Sequence, residues 1–134
     1  MLEVRSLDHV VLRIRSLERS LLFYHDLLGL KIEFLDEYRA GTRPFVSARV
    51  SPTSLIDLVP DSTYDPDAAS KTGGLLHFCL DVTNCDFDQL VPLLKEKGVE
   101  MLEEQPVKRM GARGIGLSIY VRDPDGYTIE LKQE

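Results

Sequence analysis

Two histidines and two carboxylates stand at matching places in the two halves of this sequence. His9 lies in Leu7-Asp8-His9-Val10-Val11-Leu12 and His77 in Leu75-Leu76-His77-Phe78, while Asp57 lies in Leu55-Ile56-Asp57-Leu58 and Glu130 in Thr128-Ile129-Glu130-Leu131. Imidazole nitrogens and carboxylate oxygens suit Zn, Ni, Mn, Co or Fe, and no thiolate is offered with them. A lone histidine on the solvent side of a strand is ordinarily just a surface residue. Repetition of the whole set is what singles these four out. Asp57 is the weakest member, being one methylene shorter than Glu130, and it stands as a fourth ligand, a base or a solvated acid.

The elements that must position them also repeat. Leu7–Ile14 reads as a strand with Val10, Leu12 and Ile14 on one face and His9, Val11 and Arg13 on the other. Ser16 is an N-cap, Leu17, Leu21, Tyr24 and Leu28 recur at helical spacing, and Gly29 stops the helix. Strands are expected at 30–34, 44–50 and 54–59, with a polar turn region around Gly41. The Asp-, Ser-, Pro- and Gly-rich stretch from Pro60 to Gly74 reads as a linker. The second half repeats the order: a strand at 76–82, a helix at about 86–97 ended by Gly98, and strands at 99–102, 116–121 and 127–132. Gly29 follows His9 by 20 residues and Gly98 follows His77 by 21. His77, Asp57 and Glu130 are flanked by apolar neighbours, and His9 alternates with Val10, Leu12 and Ile14, so all four polar groups fall on the helix-free face. The expected fold is α+β, a single domain of paired βαβββ modules (about 5–60 and 75–134). Their curved mixed sheet would surround a metal cleft, completed within one chain or by a dimer partner.

Length and composition agree with one globular domain. The chain has 134 residues, 43% hydrophobic and 28% charged. Sixteen Lys and Arg against 22 Asp and Glu leave a charge of -6, the wrong sign for a nucleic-acid binder. No apolar run approaches the roughly 20 residues of a membrane span. Cys79 and Cys85 are too few for a disulfide framework and no signal-like region follows Met1, so a reduced, cytoplasmic protein is expected.

The sequence resembles the vicinal oxygen chelate superfamily over its whole length, and within it the small proteins of the glyoxalase domain-containing-5 type. The marks are Leu7-Asp8-His9-Val10-Val11-Leu12, Phe23-Tyr24-His25-Asp26-Leu27-Leu28-Gly29-Leu30, Ile56-Asp57-Leu58, Leu76-His77-Phe78 and Asp123-Pro124-Asp125-Gly126-Tyr127-Thr128-Ile129-Glu130-Leu131. The resemblance implies a divalent metal with His9, His77 and Glu130 at ligand positions and Asp57 where many members carry Glu, Gln or His. It also implies a homodimer. The superfamily includes glyoxalases, extradiol dioxygenases and antibiotic-sequestering proteins of the bleomycin-resistance kind. Arg113 stands where the ring-cleaving dioxygenase signature has histidine, which lowers that reading.

The chemistry expected is glyoxalase- or lyase-like: a Lewis-acidic metal chelates a small oxygen-bearing substrate, and Glu130 or Asp57 moves a proton. The alternatives are extradiol ring cleavage and non-catalytic binding of a small molecule such as an antibiotic. Arg113, in its glycine-flanked setting, is a candidate anion clamp or a solvated loop residue, and Ser118 and Tyr120 are candidates for lining the cleft. His25 reads as a helix-end histidine and Cys79 as a small packing residue.

Overall fold

The computed structural model describes residues 3–68 and 75–133; the end of the expected linker, residues 69–74, lies outside these. The chain divides after Asp65 into two compact units, each built on a four-stranded mixed sheet.

The first unit holds β1 (His9–Ile14), α1 (Leu17–Leu21), β2 (Lys31–Glu33), α2 (Leu35–Arg39), β3 (Val46–Ser51) and β4 (Ser54–Pro60), with sheet order β1-β4-β3-β2. β1 runs parallel to β4, and the remaining pairs are antiparallel. Strand alternation sends Leu12, Ile14, Val46, Ala48, Ile56 and Leu58 to the buried side, which they share with Leu17, Phe23 and Tyr24. The other side carries His9, Val11, Asp57, Ser47 and Arg49: Val11 pairs with Asp57, and Asp57 with Ser47.

Ser16 caps α1 as expected, its Oγ accepting from Arg19 N–H at 3.4 Å. The helix then departs from the expected α pattern and widens into a π-helical stretch, Leu22–Leu27, in which Leu28 N–H donates to Phe23 C=O at 3.0 Å. The wider turn lets the sequence neighbours Phe23 and Tyr24 both enter the core, with their rings edge-to-face at 5.0 Å. Gly29, at φ 72°, ends it. The region around Gly41, expected as turn alone, is preceded by α2, whose five residues bury nothing and so leave no apolar period to read.

The second unit holds β5 (Phe78–Asp81), α3 (Phe87–Glu96), β6 (Val107–Gly111), β7 (Gly114–Arg122) and β8 (Thr128–Gln133), in sheet order β5-β8-β7-β6. Its core is Ile119, Val121, Ile129 and Leu131 with Phe87 and Leu94. The opposite face carries Cys79, Glu130 and Tyr120 in one register row and Asp81, Lys132 and Ser118 in the next. The strand expected at 99–102 does not form, since Met101 makes only an isolated bridge to Val121. The first strand after the helix is instead β6, an edge strand whose Lys108 and Arg109 hide it from an apolar pattern. β5 begins at Phe78, so His77 immediately precedes it. Among the described residues no helix is long and apolar enough to cross a membrane.

Candidate metal centre

In the first unit, His9 opens β1 and its Nδ1 lies 2.7 Å from Asp8 Oδ1. A carboxylate only accepts, so the bond places the proton on Nδ1 and leaves the Nε2 lone pair for a ligand. The Asp8 hydrogen bond raises the His9 pKa, and the nearby Asp57 charge adds to this against the opposing cost of desolvation. Asp57 is buried and accepts from Ser47 Oγ at 2.6 Å, which fixes its carboxylate on the polar face. Beside them Glu33 receives Arg49 through both oxygens, at 2.7 and 3.0 Å.

In the second unit, Glu130 is aimed by the turn that precedes β8. Asp123 Oδ1 accepts from Asp125 and Tyr127 N–H, both at 2.9 Å, and Gly126 closes the turn at φ 87°. Glu130 is buried, and its Oε2 lies 3.4 Å from His77 Nε2. Its Oε1 is buried and accepts no hydrogen bond among the described residues. A buried carboxylate oxygen without a donor is costly, and a cation at that oxygen removes the cost.

Each unit thus carries donors of a kind a divalent ion accepts: in the first, an imidazole with its Nδ1 anchored, and in the second, an imidazole beside a carboxylate that has one oxygen left unsatisfied. Within either unit, among the described residues, no three His, Cys, Asp or Glu side chains gather at one point. Each unit offers one histidine and one carboxylate.

The His77 ring meets Tyr120 edge-on at 5.0 Å, and the Arg109 guanidinium lies 4.2 Å from the centre of the Tyr120 ring. Arg109 is itself gripped by both oxygens of Glu103 and donates to Ser118 Oγ at 3.0 Å. Burial pushes the Glu103 carboxyl up, but the Arg109 bonds and the Tyr120 N–H outweigh it, and the net shift is downward. Ser118 is fully buried, with its hydroxyl oxygen engaged by Arg109. Arg113, between β6 and β7, sits 2.7 Å from Asp81 of β5, and Lys132 of β8 donates to the adjacent Gly114 C=O at 3.1 Å. Desolvation, then the neighbouring Glu130 charge, push the Cys79 thiol up to about 11, so it stays protonated at neutral pH. His25 donates from Nδ1 to Leu30 C=O at 2.8 Å, as a helix-end histidine does. Glu103 and Arg109 are not legible as site neighbours in the sequence, because neither repeats between the halves and β6 itself carries no strand signal.

The chain is similar to known proteins along nearly its whole length. A model of the Glyoxalase/Bleomycin resistance protein/Dioxygenase superfamily matches residues 6–131. The Virulence protein STM3117 of Salmonella typhimurium is 30% identical over 128 residues, spanning 95% of this chain and 83% of its own. Its crystal structure superposes with a TM-score of 0.73 over 98% of each chain, at 27% identity. A probable lactoylglutathione lyase of Synechocystis is 30% identical, covering 93% of this chain and 92% of its own. The glutathione transferase FosA of Serratia marcescens is 27% identical, covering 96% and 80%.

Proposed function

Since the chain belongs to the glyoxalase/bleomycin resistance protein/dioxygenase superfamily, we propose that it is a divalent-metal-dependent enzyme of glyoxalase or lyase type acting on a small oxygen-bearing substrate. The ligands in this reading are His9, His77 and Glu130, and Asp57 serves as the base. The observation that carries it is Glu130, a buried carboxylate with one oxygen beside an imidazole and the other without a donor. The relatives named as a lactoylglutathione lyase and a glutathione transferase support a substrate of the same chemical kind.

When bound, the ion supplies Lewis acidity to substrate oxygens and acidifies a proton on the neighbouring carbon. The chain's own residues do the rest. Asp8 holds the His9 ring in one tautomer and orientation, and Tyr120 packs against the His77 ring. Asp57, oriented by Ser47, is the carboxylate that accepts and returns a proton.

The test is metal analysis of protein purified without a histidine tag or chelator, followed by loading with Ni, Zn, Co, Mn or Fe. Each form is then assayed on glutathione hemithioacetals, epoxide–thiol pairs, hydroxyketones and catechols. Stoichiometric metal and turnover of one of the first three classes are expected, with metal lost from a folded His77→Ala variant. Metal content that fails to rise on loading would move the protein to the non-catalytic binding class. Iron with catechol-dependent oxygen uptake would assign ring cleavage instead.

A further inference from the structure

Arg43, in the loop between α2 and β3, is held between two aromatic rings. Its guanidinium carbon lies 3.7 Å from the Phe34 ring centre and 4.4 Å from that of Phe45. Its Nε is buried and has no hydrogen-bond partner among the described residues. Arg49, Arg109 and Arg113 each face a carboxylate, and Arg122 has Glu100 at 3.5 Å. No acid among the described residues does this for Arg43.

Ring stacking occupies the faces of a guanidinium and strips water from them, but it satisfies none of the N–H groups along the edge. That edge matches the two oxygens of a carboxylate or phosphate. The stack is also built at some cost. Phe34 adopts a left-handed backbone at φ 69°, which bulky residues rarely enter, and its C=O accepts the first bond of α2 from Tyr38 at 2.9 Å. Phe45 immediately precedes β3 and stands two residues before Ser47, so continuing the alternation of β3 by one residue would set it on the polar side that bears Ser47 and Asp57. Two residues of extended chain span at most about 7 Å, the length of a small metabolite.

We propose that Arg43, clamped by Phe34 and Phe45, is an anion-binding subsite that takes the carboxylate or phosphate group of the substrate whose oxygen-bearing end reaches the His9–Asp57 side of the same face. The substrate is then a small organic anion. This rests on the reading of that face as substrate-facing, but the subsite binds its anion without a metal.

The test uses the metal-free full chain, so failure here stays separate from failure of the metal reading. The Arg43 Nε–H resonance, assigned through Arg43→Gln, is followed by ¹H–¹⁵N NMR during titration with inorganic phosphate and, separately, with glycolate. A saturable displacement by one of them is expected, and the anion that produces it assigns the phosphate or carboxylate class. Arg43→Gln, with unchanged near-UV circular dichroism and unchanged metal affinity, should weaken anion binding about tenfold or more. A resonance that neither anion moves overturns the proposal, as does equal anion affinity in a folded Arg43→Gln. Should that variant fail to fold, the wild-type titration decides alone, with the resonance assigned through backbone connectivity.

Discussion

Asp8 Oδ1 lies 2.7 Å from Nδ1 of the adjacent His9, so the imidazole presents Nε2 with its lone pair available. A carboxylate behind a metal-bound histidine fixes the ring and strengthens it as a donor, and losing such a partner typically lowers metal affinity about 10- to 100-fold. Asp8→Asn is therefore expected to weaken metal binding by that factor in a competition titration against a chelating dye, with circular dichroism unchanged. Unaltered affinity would remove His9 from the ligand set.

Glu130 predicts a linkage between metal and stability. A ligand that binds only the folded state at a hundred times its dissociation constant stabilises by about 2.7 kcal/mol. Urea unfolding of wild-type protein at that metal excess should shift accordingly, whereas Glu130→Gln and His77→Ala should show no shift. A full shift in both variants would place the metal elsewhere on the chain.

The residues that repeat between the halves are legible in the amino-acid sequence: Ser16 as a cap, Gly29 as a stop, and the alternation that separates His9 and Asp57 from Leu12 and Ile56. Period-2 alternation exposes a face whenever one side of a sheet is buried. β6 escapes such a reading for the converse reason, because an edge strand bearing Lys108 and Arg109 has no apolar period. The π-helical widening at Leu22–Leu27 is hidden too, since a shift from i−4 to i−5 bonding changes no residue type. Arg43 and Glu103 carry no signal because their roles depend on partners brought together only by folding, Phe34 and Phe45 for one and Arg109 for the other.

Arg109 joins Glu103, Ser118 and Tyr120 in one partly buried network. Replacing Arg109 with Met keeps the stem but leaves the Glu103 carboxylate without its cation. A broken buried pair costs about 3–5 kcal/mol, and with the partial exposure here about 2 kcal/mol is expected in urea unfolding. A loss below about 0.5 kcal/mol would reduce the network to surface decoration.

The Glu33–Arg49 pair predicts an acid limb. The hydrogen bond from Arg49 lowers the Glu33 carboxyl below its ordinary value of 4.5, outweighing desolvation. The unfolded chain thus binds this proton more readily than the folded one. The pair's contribution is complete above the unfolded carboxylate range and fades as pH falls through the lowered folded value. Urea midpoints measured from neutral to acidic pH should therefore fall less steeply in Glu33→Gln than in wild type. Parallel profiles would show that the pair contributes nothing.

Arg113 and Asp81 lie 2.7 Å apart with both side chains well exposed, so an anionic ligand recruiting Arg113 must compete with Asp81. The two ends of this pair should then act in opposite directions. A charge-assisted hydrogen bond contributes on the order of 1.5–3 kcal/mol, so Arg113→Ala should weaken an anionic ligand about tenfold or more if Arg113 is the clamp. Asp81→Asn removes the competitor and should strengthen the same ligand, by less than this because an exposed pair is worth at most about 1 kcal/mol. Calorimetric titration of both variants with the anion that proves to bind gives the answer. Opposite shifts make Arg113 a clamp held in reserve by Asp81, and unchanged affinity in Arg113→Ala returns it to a solvated residue of the β6–β7 hairpin.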